Sequence, residues 1–468
     1  MKTNILRFSL MLFSTAVFSQ VGHIMQGVGS VNMSMGGAST AQPIDISGAL
    51  QWNPATISTF NDKIIKFDIG LFFSSPELSS SLPANMLWQP GDFGLGSPGS
   101  PSVHGITKDD RGLSPMPALA MVWGKEDSKH TFGASAFGIS GFGVTFPQET
   151  NLPMDINGNP NPNWDPNNSN SINWPQSLNG FGHIESDYML LQVGLAWAYE
   201  LSDQFSIGVQ PNVNYAALEL APNPTANPNM AGYPVSDKAS AFGFGAQFGL
   251  FYDTGNGLKL GASYKTVQKF SKFDFNNTHL DASTSNNEFQ MDYPAILSLG
   301  LGYSTDKIDF ALDFRRVDYE NTDGFSKTGW TPTASVAGFG WNNMSILSTG
   351  IQYKGINKLP LRFGYTYSSN PIPEEVTFFN IPATAIIKDA FQFGFSYEVN
   401  DNFKIDAVYH YGKSGDATTG KLLSPFMVSP SNPLGEIPGS SVSYDMTTSM
   451  VMVGISYTFK KEETTPID

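Results

Sequence analysis

Phe205-Ser206-Ile207-Gly208-Val209-Gln210-Pro211-Asn212-Val213-Asn214-Tyr215 decides the fold class. Its apolar residues fall on odd positions and its small or amide residues on even ones, the period of a strand with two unlike faces. The pattern recurs on both sides. Upstream, Lys63 to Phe72 is the first such segment, followed by Ala118 to Trp123 and Thr131 to Phe146. Downstream, Ile308, Phe310, Leu312 and Phe314 oppose Asp309, Ala311, Asp313 and Arg315. Leu361, Phe363, Tyr365 and Tyr367 oppose Arg362, Gly364 and Thr366, and Phe391, Phe393, Phe395 and Tyr397 oppose Gln392, Gly394, Ser396 and Glu398. The last segment puts Val451, Val453, Ile455, Tyr457 and Phe459 on one face.

The segments number fourteen, near 62–74, 115–125, 129–147, 184–200, 204–220, 236–252, 257–272, 288–304, 307–321, 340–353, 359–369, 388–398, 402–412 and 445–459. Their joins alternate long and short. Long joins are 75–114, 148–183, 221–235, 273–287, 322–339, 370–387 and 413–444, whereas Ser202-Asp203-Gln204 and Thr305-Asp306-Lys307 are tight turns. Sandwich strands are shorter and their loops do not sort by length. The spacing therefore predicts an all-β, 14-stranded antiparallel transmembrane β-barrel, with tight turns at the periplasmic rim and long loops outside. Tyrosines at strand ends (Tyr215, Tyr264, Tyr303, Tyr367, Tyr397) suit the interfacial girdles of such a wall.

Residues 1–19 read as a signal peptide, with Lys2 and Arg7 ahead of the apolar run Leu10 to Phe18, too short to span a bilayer. The expected address is the bacterial outer membrane. Residues 20–60 read as a hatch, a plug inside the lumen. Gly27, Gly29, Gly36, Gly37 and Gly48 break regularity there, while Met33, Met35, Ile44, Ile46 and Leu50 stay apolar enough to be buried and are candidates to line a ligand pocket. A loose N-terminus is the alternative. Residues 61–459 make the barrel and 460–468 a polar periplasmic tail.

The chain contains no cysteine, which excludes a disulfide framework and thiolate metal sites. The net charge of −15 becomes −17 without Lys2 and Arg7, which argues against nucleic-acid binding. The six histidines lack metal-ligand spacing, and Asp155 to Asn159 reads as a polar turn rather than a calcium loop. No Gly-x-Ser-x-Gly elbow occurs. No metal, no cofactor and no enzymatic activity are expected. Met86-Leu87-Trp88 with Phe93 puts an apolar cluster on an external join, either a landing site for a greasy ligand or a loop packed on its neighbours. Lys265, Asp309, Asp313, Arg315, Arg362, Lys404 and Asp406 all face the lumen. They either pair across it, or Arg315 or Arg362 meets an anionic headgroup through two parallel hydrogen bonds.

The hatch segment closing on Asn53-Pro54-Ala55 ahead of fourteen strands resembles the FadL/TodX family of outer-membrane transporters for long-chain fatty acids and hydrocarbons. Leu361-Arg362-Phe363-Gly364-Tyr365-x-Tyr367 with Pro371-Ile372-Pro373, and Pro294-Ala295-Ile296-x-Ser298-Leu299-Gly300-Leu301, extend the likeness. It implies a hatch-filled barrel whose ligand lodges in an apolar pocket beside the hatch and leaves sideways through a gap at a kinked third strand. Here that strand contains Gly138-Ile139-Ser140-Gly141-Phe142-Gly143; Gly138, Ser140, Gly141 and Gly143 either seat the kink or thin the strand so that the hatch can approach. The implied partners are a hydrophobic small molecule, outer-membrane lipid and the outer-membrane assembly machinery, around a monomer. A tail after Phe459 departs from the family pattern. The rival readings are a general diffusion porin, a surface receptor or structural barrel, and a membrane hydrolase.

Overall fold

In the computed structural model, residues 23–86, 99–124, 127–155 and 157–460 are described. The signal segment 1–19, Leu87, Trp88 and Phe93 of the external apolar cluster, and tail residues 461–468 lie outside them. Fourteen long strands form the wall: β1 (Lys63–Leu82), β2 (Leu113–Trp123), β3 (His130–Phe146), β4 (Ile184–Glu200), β5 (Phe205–Ala221), β6 (Ala239–Asp253), β7 (Leu258–Lys265), β8 (Ala295–Ser304), β9 (Ile308–Asp318), β10 (Met344–Tyr353), β11 (Leu361–Ser368), β12 (Asp389–Glu398), β13 (Phe403–Lys413) and β14 (Ser441–Phe459). Each pairs antiparallel with the next, and β14 closes on β1 from Lys63↔Phe459 to Ser81↔Ser441.

The period-two pattern explains the wall. Phe67, Ile69, Leu71 and Phe73 of β1 are exposed, as are Phe391, Phe393, Phe395 and Tyr397 of β12, and the intervening positions are buried. A water-soluble core would have hidden these aromatics; here they form an apolar outer belt. β1 outruns the 62–74 segment because its outward residues above Phe73 turn polar (Ser75, Glu77, Ser79, Ser81) while the strand continues. The join 75–114 is accordingly not all loop: Val103–Lys108 pairs with Glu77 to Leu82. The join 273–287 likewise holds most of a hairpin, Phe273–Thr278 with Thr284–Phe289.

Inside the wall, residues 23–59 fold as two short helices, α1 (Ser30–Ser34) and α2 (Ile46–Trp52), and a 3-10 turn (Pro54–Thr59). Asp45 starts α2 by accepting the Gly48 N–H, and Asn53 starts the next turn by accepting that of Ala55. Almost every residue of this hatch is buried. Lumen-facing glycines bring its backbone against the wall: a Cβ on Gly364 would lie 2.1 Å from Gly36 N, and one on Gly261 2.0 Å from Thr40 O.

Candidate functional site

The hatch is pinned by buried charge. Asp313 of β9 accepts from Ser39 N (2.8 Å), Thr40 N (2.9 Å) and Thr40 Oγ1 (2.7 Å). Arg315 of the same strand pairs with Asp313 at 2.6 Å, donates to Gly37 O at 2.7 Å and lies over the Trp52 ring at 3.7 Å. On the opposite wall Lys66 bridges Asp406 (2.8 Å) and Asp45 of the hatch (2.9 Å), and Asp68 accepts from Ser30 N (2.9 Å). Arg362 donates to Gln352 Oε1 (2.7 Å) and Ser396 Oγ (2.6 Å). Thus Arg315 is a hatch anchor and Arg362 a member of the wall network beside Lys66, and neither lines the cavity described below.

Asn53, Pro54 and Ala55 also anchor. Asn53 donates to Thr40 O (2.7 Å) and Leu250 O (3.0 Å), and a Cβ on Gly208 would meet Ala55 N at 2.3 Å. Met35 and Ile44 pack on Ala38 and Ala311; Ile46 and Leu50 join the large core, Leu50 against Gly133 of β3.

Of the five apolar hatch candidates, Met33 lines a cavity. It is small, about 10 Å³ or room for one water, and is bounded by Met25, Gln26 and Met33 of the hatch, Phe72 of β1, Met116 of β2, His410 of β13 and Met450 of β14. Flexible thioethers dominate it, and its two polar groups are tied to Gln392: Gln26 Oε1 accepts from that amide at 3.0 Å and His410 Nδ1 lies 3.2 Å from it. Beyond Met25 the hatch runs into an aromatic nest. The His23 ring lies 4.8 Å from Phe325, 5.4 Å from Tyr319 and 5.8 Å from Trp341, centroid to centroid, and its Nδ1 is 2.8 Å from Tyr319 Oη. Burial pushes the imidazole down to about 3, so it is neutral.

The wall is interrupted beside this part of the hatch. β2 and β3 pair only from Trp123↔Phe132 to Ala118↔Phe137, although β2 stays paired with β1 to Leu113 and β3 with β4 to Phe146. At the break β3 bulges: Gly138 faces Leu191, Ser140 faces Leu190, and Ile139 is the extra residue. From Phe137 to Phe142 every residue is buried, so the strand is covered on both faces. The hatch supplies part of that cover. Met25 N donates to Ile139 O at 3.0 Å, Ile24 bridges Ser140, and Ser140 Oγ donates to His23 O. Gly141 sits opposite Met189 of β4.

Gly143 belongs to a different device. A Cβ there would fall 1.8 Å from Arg111 Nη1, because Arg111 crosses β3 at this glycine to reach β4, donating to Ser186 O (2.5 Å) and Asp187 Oδ1 (2.8 Å). Asp110 N donates to Thr145 O (2.8 Å) and Thr145 N to Asp109 Oδ1 (2.5 Å). Burial holds the Asp109 carboxyl above its ordinary range, against the opposing pull of the Thr145 N–H. These contacts form a clasp above the break. The result is a window framed below by the last β2–β3 pair and above by the clasp. This unpaired stretch lies level with Ile69 (39% exposed) and Leu71 (42% exposed), within the apolar belt rather than above it.

The sequence reading missed the cavity's other walls. A signal was present: Met116 and Met450 stand on the lumen register, where neighbouring strands carry amides and charges. Among the described residues no cluster of His, Asp or Glu is arranged to hold a metal ion.

The family model described as outer membrane protein transport protein (OMPP1/FadL/TodX) matches residues 175–460. The toluene transporter TodX of Pseudomonas putida shares the fold at 17% identity with a TM-score of 0.63, over 93% of this chain and 100% of that one. A Pseudomonas aeruginosa FadL homologue matches at 14% identity and a TM-score of 0.66, over 94% of this chain and 100% of that one. The Ralstonia pickettii toluene transporter TbuX matches at 16% and 0.59, over 93% and 99%. A search of curated protein sequences found no match. Because the family model covers more than half of a chain that folds as a hatch-filled barrel of fourteen strands, the protein belongs to the FadL/TodX family of outer-membrane transport proteins, channels for hydrophobic compounds and not enzymes.

Proposed function

We propose that the protein takes up small hydrophobic molecules across the outer membrane, holds them at the small methionine-lined cavity beside the hatch, where the flexible thioethers swing apart to admit them, and releases them sideways through the β2–β3 window. One observation carries this reading: Met116 lies on the stretch of β2 that lacks a β3 partner and also lines the cavity, so cavity and window share a wall. The window faces the apolar belt, and a hydrophobic molecule leaving there stays out of water, a preference of roughly 25 cal/mol per Å² of apolar surface. A general diffusion porin is disfavoured by a hatch that is buried and anchored on opposite walls.

The cavity lining carries no lysine, arginine, aspartate or glutamate. Arg315 is occupied by Asp313 and Gly37, so a carboxylate in the cavity would be buried without a counter-ion. This favours an uncharged hydrocarbon over a fatty-acid anion, and two of the structural relatives are named toluene transporters. The test is mass spectrometry of apolar molecules retained by the purified protein, alongside toluene and oleate uptake by cells expressing it. Retained hydrocarbon and toluene uptake are expected. If nothing apolar is retained and the intact protein conducts ions freely, the reading is wrong and the porin takes its place.

A further inference from the structure

We infer that Pro115 and Pro117 hold β2 as an edge that cannot donate to β3, and that this pair, acting with the β3 bulge, keeps the window from zipping shut. In an antiparallel ladder alternate residues direct their N–H and C=O groups to opposite neighbours. The β1–β2 ladder runs unbroken through Leu71↔Pro115 and Ile69↔Pro117. Proline has no N–H, so the donors to β1 along this stretch are Ser114, Met116 and Ala118. The odd positions therefore point at β3. Leu119, Met121 and Trp123, opposite Ala136, Ala134 and Phe132, share that parity in the intact part of the β2–β3 ladder. Carried two steps further, the same register would set Pro117 opposite Gly138 and Pro115 opposite Ser140. At Gly138 the donor that β2 would offer is absent; past the bulge the Ser140 backbone turns to Leu190 of β4, and Pro115 has no donor to offer the Ile139 carbonyl on the open side.

A lone strand proline in this barrel does less. Pro211 of β5 costs the β4–β5 ladder its pairing between Gly194↔Asn212 and Trp197↔Val209, and pairing resumes on both sides. Two prolines at consecutive β3-facing positions leave no donor from which to resume. On β3 the freed Ile139 carbonyl is taken instead by Met25 N of the hatch. Pro115 and Pro117 are half-buried on the outward face, where β-branched residues fit a lipid-facing strand, so the wall itself does not require proline there.

The functional consequence rests on the lateral route proposed above, so the experiment reads the edge and the route separately. The variants are Pro115→Val with Pro117→Val, the single Pro117→Val, and Pro211→Val as a strand-proline control, each checked for the heat-modifiable gel shift of a folded barrel. Peptide-level hydrogen exchange follows residues 138–144, and toluene uptake follows the route. The double variant is expected to slow exchange in 138–144 by about tenfold, as new ladder bonds form, and to lower uptake by a similar factor. The single variant should move both readouts in the same direction, because Pro117 adjoins the last existing pair; Pro211→Val should move neither. Unchanged exchange in folded double and single variants overturns the inference, leaving the bulge alone to hold the window. Slowed exchange with undiminished uptake upholds the proline edge and removes the lateral route.

Discussion

Replacing Asp313 by Ala should release the hatch without unfolding the barrel. The carboxylate accepts three hydrogen bonds from Ser39 and Thr40 and neutralises Arg315, and both side chains are 1% exposed. Removing it strands a buried guanidinium and orphans three hatch donors. Breaking one partner out of a buried pair costs roughly 3–5 kcal/mol. The loss falls on the docked hatch, because the wall strands keep their own ladders, so the undocked fraction should rise between about a hundredfold and a few thousandfold. The absence of cysteine makes this measurable. Ser47 lies in α2, fully buried, with an unbonded hydroxyl, and Ser47→Cys supplies a thiol that reacts with maleimide only when the hatch leaves. Labelling of Ser47→Cys/Asp313→Ala should outpace Ser47→Cys alone by at least about a hundredfold, and planar-bilayer recordings should show new ion-conducting openings. Unchanged labelling and conductance would falsify the claim that this charge cluster anchors the hatch.

Three other outcomes are expected. Gly70→Val should fill the cavity, since a Cβ there meets Met452 Cε at 2.8 Å and Met450 Sδ at 3.2 Å; retained ligand should fall sharply in mass spectrometry, with a stability loss of about 1–3 kcal/mol from overpacking. Arg111→Ala removes the part of the clasp that crosses Gly143, so hydrogen exchange at Thr145 and its neighbours should accelerate and lose its dependence on salt, whereas in the parent protein salt should speed it by screening the pair with Asp187. Hatch docking should weaken in acid: His23 binds a proton only near pH 3 when docked but near 6.5 when released, so the released state binds more protons between those values. The stabilisation is complete above pH 6.5 and shrinks as pH falls, by roughly 2 kcal/mol at pH 5, so ion-conducting openings should be more frequent at pH 5 than at pH 7.5, and a His23→Gln variant should lose that difference.

The wall was legible in the sequence because lipid outside and a polar lumen inside impose the same alternation on every strand. Where one of those solvents is lost, so is the pattern. β1 continues to Leu82 beyond the belt, where Ser75, Glu77, Ser79 and Ser81 face water and the alternation fades. The loops read as polar joins rich in Asn and Pro, yet Phe325 and Trp341 pack inward on His23 with Phe339 against both, and no local periodicity announces contacts across some 300 residues. Arg315 and Arg362 were legible as lumen charges; their partners were not. Asp313 stands two residues from Arg315 on the same strand face, but Gly37 O comes from the hatch, and only the fold brings it there. Gly143 illustrates the same limit. In sequence it is one more glycine in a kink, and in space it is the slot through which Arg111 crosses β3.

The lumen is divided chemically, and the division bears on the direction of transport. The hatch meets the wall through Asp313, Lys66, Asp68 and Asn53, groups already committed to hydrogen bonds and ion pairs. Toward the loops the lining becomes aromatic, through Tyr188, Phe142, Phe339 and Phe325, and these rings reach the β3 bulge. A small hydrocarbon with about 200 Å² of surface gains roughly 5 kcal/mol by remaining on apolar surface. Continuing downward would forfeit that gain and require undocking a hatch held by several buried ion pairs and hydrogen bonds at once. Turning outward at β3, on the proposed route, keeps the apolar contact and displaces only the hatch contacts at Ile139 and Ser140, since β2 and β3 are unpaired there. The proposed sideways path is therefore the less costly of the two for an apolar solute. A polar solute gains nothing from the belt, so glucose uptake should stay at background in the parent protein and rise only when Asp313→Ala frees the hatch.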